Sequence, residues 1–248
     1  MRQDHDILAG LSRSYLFDGI TRDELEPLAA VTKARELVRG EHLCQVGDPA
    51  DEVFVVVSGE LKGYIVDADG DEVIHSLHGP GMTLGEPGYF AAERIRIVAV
   101  VAVVPSTVLR LERGALAPFM ETHTILKDRA LERLASNSRW QSLVISSLST
   151  RPLTERLVLR LLELVDSSPT PRDGVAVTPK ISQSMLASMV GVSRENVNRA
   201  LAALVNDGAI RQQDGRYVLV DVERLRRSVA NDWPRAARRD RRTELTGL

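Results

Sequence analysis

The fold is decided by the stretch SQSMLASMVGVSRENVNRALAALVNDG, which spans residues 182–208. Ser182 and Ser193 each stand directly before a segment with helical apolar spacing, where a serine side chain can cap the first turn. Gly191 lies between the two predicted helices, and Gly208 follows the second, where glycine often ends a helix. Two short helices joined by a glycine turn are typical of a helix-turn-helix.

A β-hairpin is predicted directly after these helices. Ile210 and the run 217–220 flank an Asp214-Gly215 pair, which favours a tight turn because glycine tolerates a positive φ. A hairpin in this position is the wing of a winged helix-turn-helix, a unit that places its second helix in the major groove of DNA.

The second helix has two chemically different faces. Val197, Leu201 and Leu204 form an apolar side that can pack on the first helix. Four polar residues lie near the helix start on the other side: Arg194, Glu195, Asn198 and Arg199. Arginine can donate two hydrogen bonds to guanine, glutamate can accept one from cytosine, and a helix start capped by Ser193 can hold a phosphate. The pattern predicts a helix that reads duplex DNA, although alone it would also suit a solvated face.

In residues 36–111 the apolar residues recur with a period of two instead, as in β-strands. Five short β-rich runs are separated by turn signals such as Gly79-Pro80-Gly81. These runs are 53–57, 61–66, 73–77, 97–104 and 108–111. Many short strands at close spacing are typical of a β-sandwich or β-barrel.

Between about residues 119 and 148 the pattern is helical, without proline or glycine. One row of residues recurs at alternating spacings of three and four, the heptad pattern of paired helices: Leu131, Leu134, Ser138, Gln141, Ile145 and Leu148. This row predicts a dimerisation helix. The alternative is an ordinary helix that lies on the barrel.

Composition limits the class of protein. The 248-residue length suits two domains, and the one cysteine, Cys44, cannot form an internal disulfide or alone hold zinc or an iron–sulfur cluster. A reducing cytoplasm is therefore expected, and no apolar run approaches the about 20 residues of a membrane helix. Residues 1–150 hold 15 Lys and Arg against 22 Asp and Glu, whereas residues 151–248 hold 17 against 12. This asymmetry favours the second half as the part that meets a polyanion, and the alternative is a tail effect, because five arginines between residues 235 and 242 supply much of the excess.

Residues 186–208 closely resemble the recognition region of the cyclic-AMP receptor protein/fumarate–nitrate regulator (CRP/FNR) family of bacterial transcription factors. The resemblance continues over about residues 15–115, where Gly47, Gly59, Gly70 and Gly81 match the family's cyclic-nucleotide-binding barrel. It implies an α+β fold with an N-terminal jelly-roll β-barrel, a long dimerisation helix and a C-terminal winged helix-turn-helix. The expected boundaries are 1–118 for the barrel, 119–150 for the helix, 151–230 for the DNA-binding domain and 231–248 for a basic, mobile tail.

The resemblance also implies roles for residues at the DNA. Base reading would fall on Arg194, Glu195 and Arg199, and a phosphate contact on Gln183. Asn198 and Ser193 would belong to the same DNA-binding surface.

For the effector, the resemblance implies that the Glu86 carboxylate takes a ribose hydroxyl and that the Arg96 guanidinium takes a cyclic phosphate. Two departures weaken the match: Ile97 replaces the hydroxyl residue expected after the arginine, and Pro87 removes an N–H beside the pocket. The predicted effector-binding residues are Gly85, Glu86, Arg96, Ile97, Gln141 and Ser142.

These features predict a homodimeric, sequence-specific DNA-binding regulator of the cytoplasm. Its operator would be a palindrome with half-sites about 34 Å apart. The resemblance adds allosteric control by a small effector such as cyclic AMP, RNA polymerase as a further partner, and no required cofactor, metal or enzymatic reaction.

Several alternatives stay open. The barrel could be independent of cyclic nucleotides or respond to another effector, with Glu86 and Arg96 as a structural ion pair. Haem would need axial ligands such as His75 and His78, and a cupin-type metalloenzyme would need clustered ligands, whereas His42, His75 and His78 lack paired spacing. A nucleotide sensor without DNA function is disfavoured by the predicted winged helix.

Overall fold

A computed structural model describes residues 2–68, 70–166 and 176–229 of the chain. The basic tail expected at 231–248 lies outside the described residues.

The chain begins with helical elements that cover one side of the barrel. Helix α1 (Arg2–Ser12), a 3-10 turn (Tyr15–Phe17) and helix α2 (Arg22–Val31) precede the first strand. The Thr21 hydroxyl and the Glu24 side chain form a reciprocal capping box at the start of α2. Leu11, Phe17 and Leu25 are buried and share an apolar core with the neighbouring sheet.

Two four-stranded antiparallel sheets form the N-terminal β domain. The strands are β1 (Lys33–Leu37), β2 (His42–Cys44), β3 (Glu52–Ser58), β4 (Leu61–Val66), β5 (Glu72–His78), β6 (Thr83–Leu84), β7 (Ala99–Ala102) and β8 (Ser106–Glu112). One sheet has the order β1-β8-β3-β6 and the other β2-β7-β4-β5. Phe54, Leu61 and Val100 are buried in a common core with residues of both sheets, which confirms the predicted β-sandwich architecture.

The strand predicted over 97–104 is shorter than expected. Strand β7 covers only Ala99–Ala102, whose side chains are all buried, while Ile97 is 62 % exposed. The backbone before β7 pairs elsewhere, because Arg96 exchanges hydrogen bonds with the β2–β3 loop: its N–H donates to Asp48 and its carbonyl accepts from Gly47, both at 2.8 Å. The predicted strand was too long because the flanking residues are also apolar, although they are not part of the hydrogen-bonded strand.

The helix expected over 119–150 is interrupted. Helix α4 (Arg113–Thr122) ends before helix α5 (Ile125–Thr150) begins. His123 has φ −122° and ψ 75°, outside the helical region, and its ring stacks on Phe119 with centroids 4.1 Å apart. The prediction of one continuous helix was therefore wrong at its start, and residues 119–122 belong to α4. The whole heptad row, from Leu131 to Leu148, still lies on a single 26-residue helix.

The C-terminal half contains the predicted winged helix-turn-helix. Helix α6 (Leu153–Asp166), strand β9 (Ala176–Val177), helix α7 (Gln183–Val190), helix α8 (Arg194–Asn206), strands β10 (Ile210–Gln213) and β11 (Arg216–Leu219) and helix α9 (Val222–Ser228) follow in order. The Ser182 hydroxyl accepts from Met185 N–H (3.1 Å), and Gly191 ends α7 with φ +68°. The strands form a sheet of order β10-β11-β9, the wing.

Gly59 is required by the tight approach of two loops in the barrel. Its φ is +86°, and a Cβ atom there would lie 2.6 Å from the Pro105 carbonyl oxygen. Gly47 has a similar φ of +89°, but nothing lies within 4 Å of its Cβ position. A substitution at Gly47 would therefore add backbone strain alone, whereas a substitution at Gly59 would add both backbone strain and a steric clash.

Gly47→Ala should cost about 1–2 kcal/mol of unfolding free energy, because only left-handed backbone strain is added. Gly59→Ala should cost at least about 1 kcal/mol more, because backbone atoms cannot rotate away from the new methyl group. Urea denaturation of both variants measures the difference, and equal losses would contradict the steric argument.

Candidate functional sites

Helix α8 presents its polar side to solvent. Val197 and Leu201 are 0 % and 3 % exposed and pack in the core that α8 shares with α6 and α7. Arg194, Glu195 and Arg199 are exposed. Burial of the apolar side fixes the rotation of the helix, so the three predicted base-reading side chains lie on one free surface.

The start of α8 forms a shallow concave surface. It is lined by Ser193, Arg194, Glu195 and Asn198. The Ser193 hydroxyl accepts a hydrogen bond from Asn196 N–H (3.3 Å), which confirms the predicted cap. The N–H groups at the start of a helix have no partner within the helix, which favours binding of an anion there.

Gln183 lies beside the same surface. Its amide nitrogen is 3.5 Å from Asn198 Oδ1, so a residue at the start of α7 meets a residue of α8. Arg199 contacts Asn196 on its own helix. The structure therefore brings together the six residues predicted for DNA binding, at the meeting point of α7 and α8.

In the barrel, Arg96 is turned inward. Its side chain is 5 % exposed, and Nη2 donates to the backbone carbonyl of Glu52 (2.8 Å) and lies 3.5 Å from Glu52 Oε2. Nη1 donates to the Gly85 carbonyl (3.3 Å). The buried Nε–H has no hydrogen-bond partner among the described residues. A buried donor without a partner is costly, and an anionic ligand would satisfy it.

Gly85 lies against this guanidinium, and Glu86 follows Gly85 in the chain. Gly85 has φ +102°, and a Cβ atom there would lie 2.4 Å from Arg96 Nη1, so only glycine allows the close approach. Glu86 begins the short helix α3 (Glu86–Phe90), is 5 % exposed and accepts a hydrogen bond from the Thr83 hydroxyl. The ion pair of Arg96 is with Glu52 rather than with Glu86, so the alternative of a structural Glu86–Arg96 pair was wrong.

The predicted effector residues of α5 are placed differently. The Gln141 amide nitrogen lies 3.1 Å from His75 Nε2, and the Ser142 hydroxyl donates to the Ser138 carbonyl (3.0 Å) on its own helix. Both side chains are exposed. Neither side chain forms a hydrogen bond with Arg96 or Glu86 in the described part of the chain, so these residues are not brought together as one site.

The sequence did not point to Glu52 and Thr83 as members of the pocket. Thr83 and Glu86 have the Thr-x-x-Glu spacing of a capping box, which could have suggested their contact. Glu52 is 44 residues from Arg96 in the chain, and only the packing of the sheet places them together.

The histidines do not form a metal site in the described residues. Groups of three or more His, Cys, Asp or Glu side chains suited to a metal ion are absent from residues 2–68, 70–166 and 176–229. His42 instead meets the Tyr64 hydroxyl (2.8 Å), and His78 meets the Ser76 hydroxyl (2.9 Å).

Comparisons with known proteins agree with both halves of the fold. Residues 34–123 match the family model of the cyclic nucleotide-binding domain, and residues 155–228 match that of the Crp-like helix-turn-helix domain. The transcriptional regulator SdrP of Thermus thermophilus is 30% identical over 181 residues, which cover 73% of this chain and 85% of that protein. The chain belongs to the CRP/FNR family of transcription regulators.

Two further relatives extend the match along the chain. The CRP-like cAMP-activated global transcriptional regulator of Mycobacterium tuberculosis is 28% identical over 221 residues, covering 88% of this chain and 97% of that protein. The structure of FixK2 from Bradyrhizobium japonicum superimposes with a TM-score of 0.68 at 22% identity, covering 79% and 96% of the two chains, and shows the shared fold. In the described part of this CRP/FNR chain, none of the helices is long and apolar enough to span a membrane.

The two halves of this CRP/FNR regulator touch through β5. Ile74 is buried in the same apolar core as residues of α6 and α7, and Leu77 and Trp140 pack against that core. Arg160 of α6 lies with its guanidinium carbon 5.8 Å from the Trp140 ring centroid and pairs with Glu163 (2.8 Å). The barrel, the long helix α5 and the DNA-binding domain therefore all contact the same apolar core.

His78, at the end of β5, gives this junction a pH dependence. Burial, and then the positive charges of Arg133 and His75, lower the pKa of His78 to about 3. The unfolded chain binds this proton with a pKa of about 6.5. The unfolding free energy should therefore fall as the pH falls from about 6.5 towards 3, because only the unfolded chain takes up the proton.

His78→Gln removes this titration and should make the dependence between pH 7 and pH 5.5 shallower, while His75, whose pKa burial also lowers, keeps part of it. Urea unfolding of both proteins across this range measures the two slopes. Identical slopes would contradict the lowered pKa of His78 in the folded protein.

Proposed function

We propose that this CRP/FNR regulator is a homodimer that reads a palindromic operator with α8 and responds to a small anionic effector held by Arg96. The main support for DNA binding is that α8 has one apolar side and one polar side. Its apolar side is buried, while Arg194, Glu195 and Arg199 project together from the start of the helix. This placement matches base readout from the first turns of a recognition helix.

The heptad row on α5 supports the homodimer. Leu131 and Ile145 are each 67% exposed, and Leu148 is 53% exposed. Large apolar side chains in one row on an exposed helix are stabilised by a second copy of that helix. A two-fold pair would place two α8 helices about 34 Å apart, one for each half-site.

The effector site rests on Arg96 and its surroundings. A nearly buried guanidinium, an Nε–H without a partner among the described residues and a glycine wall together form a cradle for a phosphate. Buried Glu86 offers a carboxylate to a hydroxyl group. Cyclic AMP fits this set, and the relative from M. tuberculosis is named as cAMP-activated.

Ile97 favours a second candidate effector. Its apolar side chain is 62% exposed beside Arg96, where a hydroxyl group would have donated to a cyclic phosphate. We therefore propose an anionic effector other than a cyclic nucleotide as the second candidate.

The remaining proposals concern the cellular setting. We place the chain in the cytoplasm, with RNA polymerase as a further partner, and assign it no reaction and no required cofactor. Cys44 is buried, and this burial raises the pKa of its thiol, which makes the cysteine unreactive.

Glu195→Ala should relax the preference at one base pair by about 1–3 kcal/mol, because a single acceptor to cytosine is lost. Glu223→Ala is the matched control, since Glu223 is also an exposed glutamate in the first turn of a helix in the same domain. Binding to an operator library measures both. Equal weakening on every sequence by Glu195→Ala would show that the residue does not read a base.

Ile145→Asp should shift the protein towards a single chain of 27.3 kDa, because two carboxylates would face each other across the two-fold interface. Val31→Asp is the control, because Val31 is 58% exposed on α2, away from the heptad row. Sedimentation velocity across a concentration series measures the assembly. A dimer of unchanged stability in Ile145→Asp would move the interface off this row.

A further inference from the structure

Glu52 is the acidic side chain that contacts Arg96. Its Oε2 is 3.5 Å from Arg96 Nη2, and its backbone carbonyl accepts a hydrogen bond from the same nitrogen. The Arg96 guanidinium also lies 5.4 Å from the ring centroid of Phe54. The carboxylate therefore neutralises a positive charge that has little contact with water.

Arg110 gives the same carboxylate a second partner. Arg110 Nε donates to Glu52 Oε1 (2.8 Å), and Nη2 contacts that oxygen as well. Arg110 pairs with Phe54 in the β3–β8 register, so adjacent strands hold the two side chains together. Arg110 is 40% exposed and also pairs with Glu112 (3.3 Å). Glu52 thus stands between a buried and a more exposed arginine.

We propose that Glu52 determines the affinity and charge selectivity of the effector pocket. Its carboxylate occupies Arg96 until an anionic effector displaces it, and it then remains paired with Arg110. The 3.5 Å contact to Arg96 is longer than the 2.8 Å contact to Arg110, so it is the one that a phosphate replaces. The inference rests on the proposed effector binding at Arg96.

The exchange explains why the pocket would prefer a charged ligand. A neutral molecule cannot replace the carboxylate without leaving Arg96 buried and unpaired, which is strongly unfavourable. A phosphate brings both the charge and the paired acceptors that a guanidinium binds best. Arg110 keeps the displaced Glu52 from becoming an unpaired charge.

The test is calorimetry of the full-length protein with cyclic AMP, and with adenosine as the uncharged probe. Glu52→Gln keeps the shape and removes the competing charge, so the Kd for cyclic AMP should fall about tenfold, which corresponds to about 1.4 kcal/mol. Adenosine binding should change less than twofold. Glu112→Gln is the matched control, because it removes a carboxylate from Arg110 without touching Arg96, and it should leave the Kd for cyclic AMP within twofold.

A second variant should change the Kd for cyclic AMP in the opposite direction. Arg110→Gln removes the alternative partner of Glu52, so the carboxylate should stay on Arg96 and the Kd for cyclic AMP should rise. Structural damage would weaken binding in both variants. Tighter binding in Glu52→Gln together with weaker binding in Arg110→Gln therefore reports the exchange itself.

Each outcome separates this inference from the effector site on which it rests. Unchanged or weaker binding in Glu52→Gln, with binding lost in Arg96→Ala, overturns the role of Glu52 and keeps the site. Wild-type binding in Arg96→Ala, or no binding by both the wild type and Glu52→Gln, overturns the site and this inference together. Binding by Glu52→Gln but not by the wild type supports the inference.

Discussion

The burial of one side of α8 is the constraint on which the DNA-binding surface depends. Val197 and Leu201 are almost inaccessible to water, and burying side chains of this size stabilises a fold by about 1.5–3 kcal/mol each. A helix attached along one side cannot rotate without exposing that side. The polar residues of its first turns are therefore held outward by the packing on the opposite side, and no contact of their own is needed.

A different constraint governs the barrel, where a positive charge is buried. Arg96 is held by two backbone carbonyls and one carboxylate, and the absence of a side chain on Gly85 leaves the space that it occupies. Arg96 thus has an internal counter-ion, Glu52, in the folded chain. In the proposed exchange, the affinity of an effector would be the difference between two interactions with the same guanidinium.

The junction at β5 connects the barrel, which holds Arg96, with the domain that holds α8. Ile74 belongs to the barrel by sequence, yet it is buried in the core of the DNA-binding domain, and Trp140 of α5 packs against the same core. A movement of the barrel or of α5 would therefore change the packing around α6 and α7. This shared core is a physical connection through which an effector could bias the orientation of α8.

The sequence by itself determined the local features of this protein. Serine caps, the Gly191 turn, the strand periodicity and the split of α8 depend on residues within a few positions of one another, so they were predictable. It overextended two elements, because apolar composition at 97–104 and helical spacing at 119–124 do not show where backbone hydrogen bonds end. Only the tertiary structure paired Arg96 with Glu52, and Gln141 with His75. Those contacts join residues 44 and 66 positions apart, and their partners are chosen by how the strands and the long helix pack.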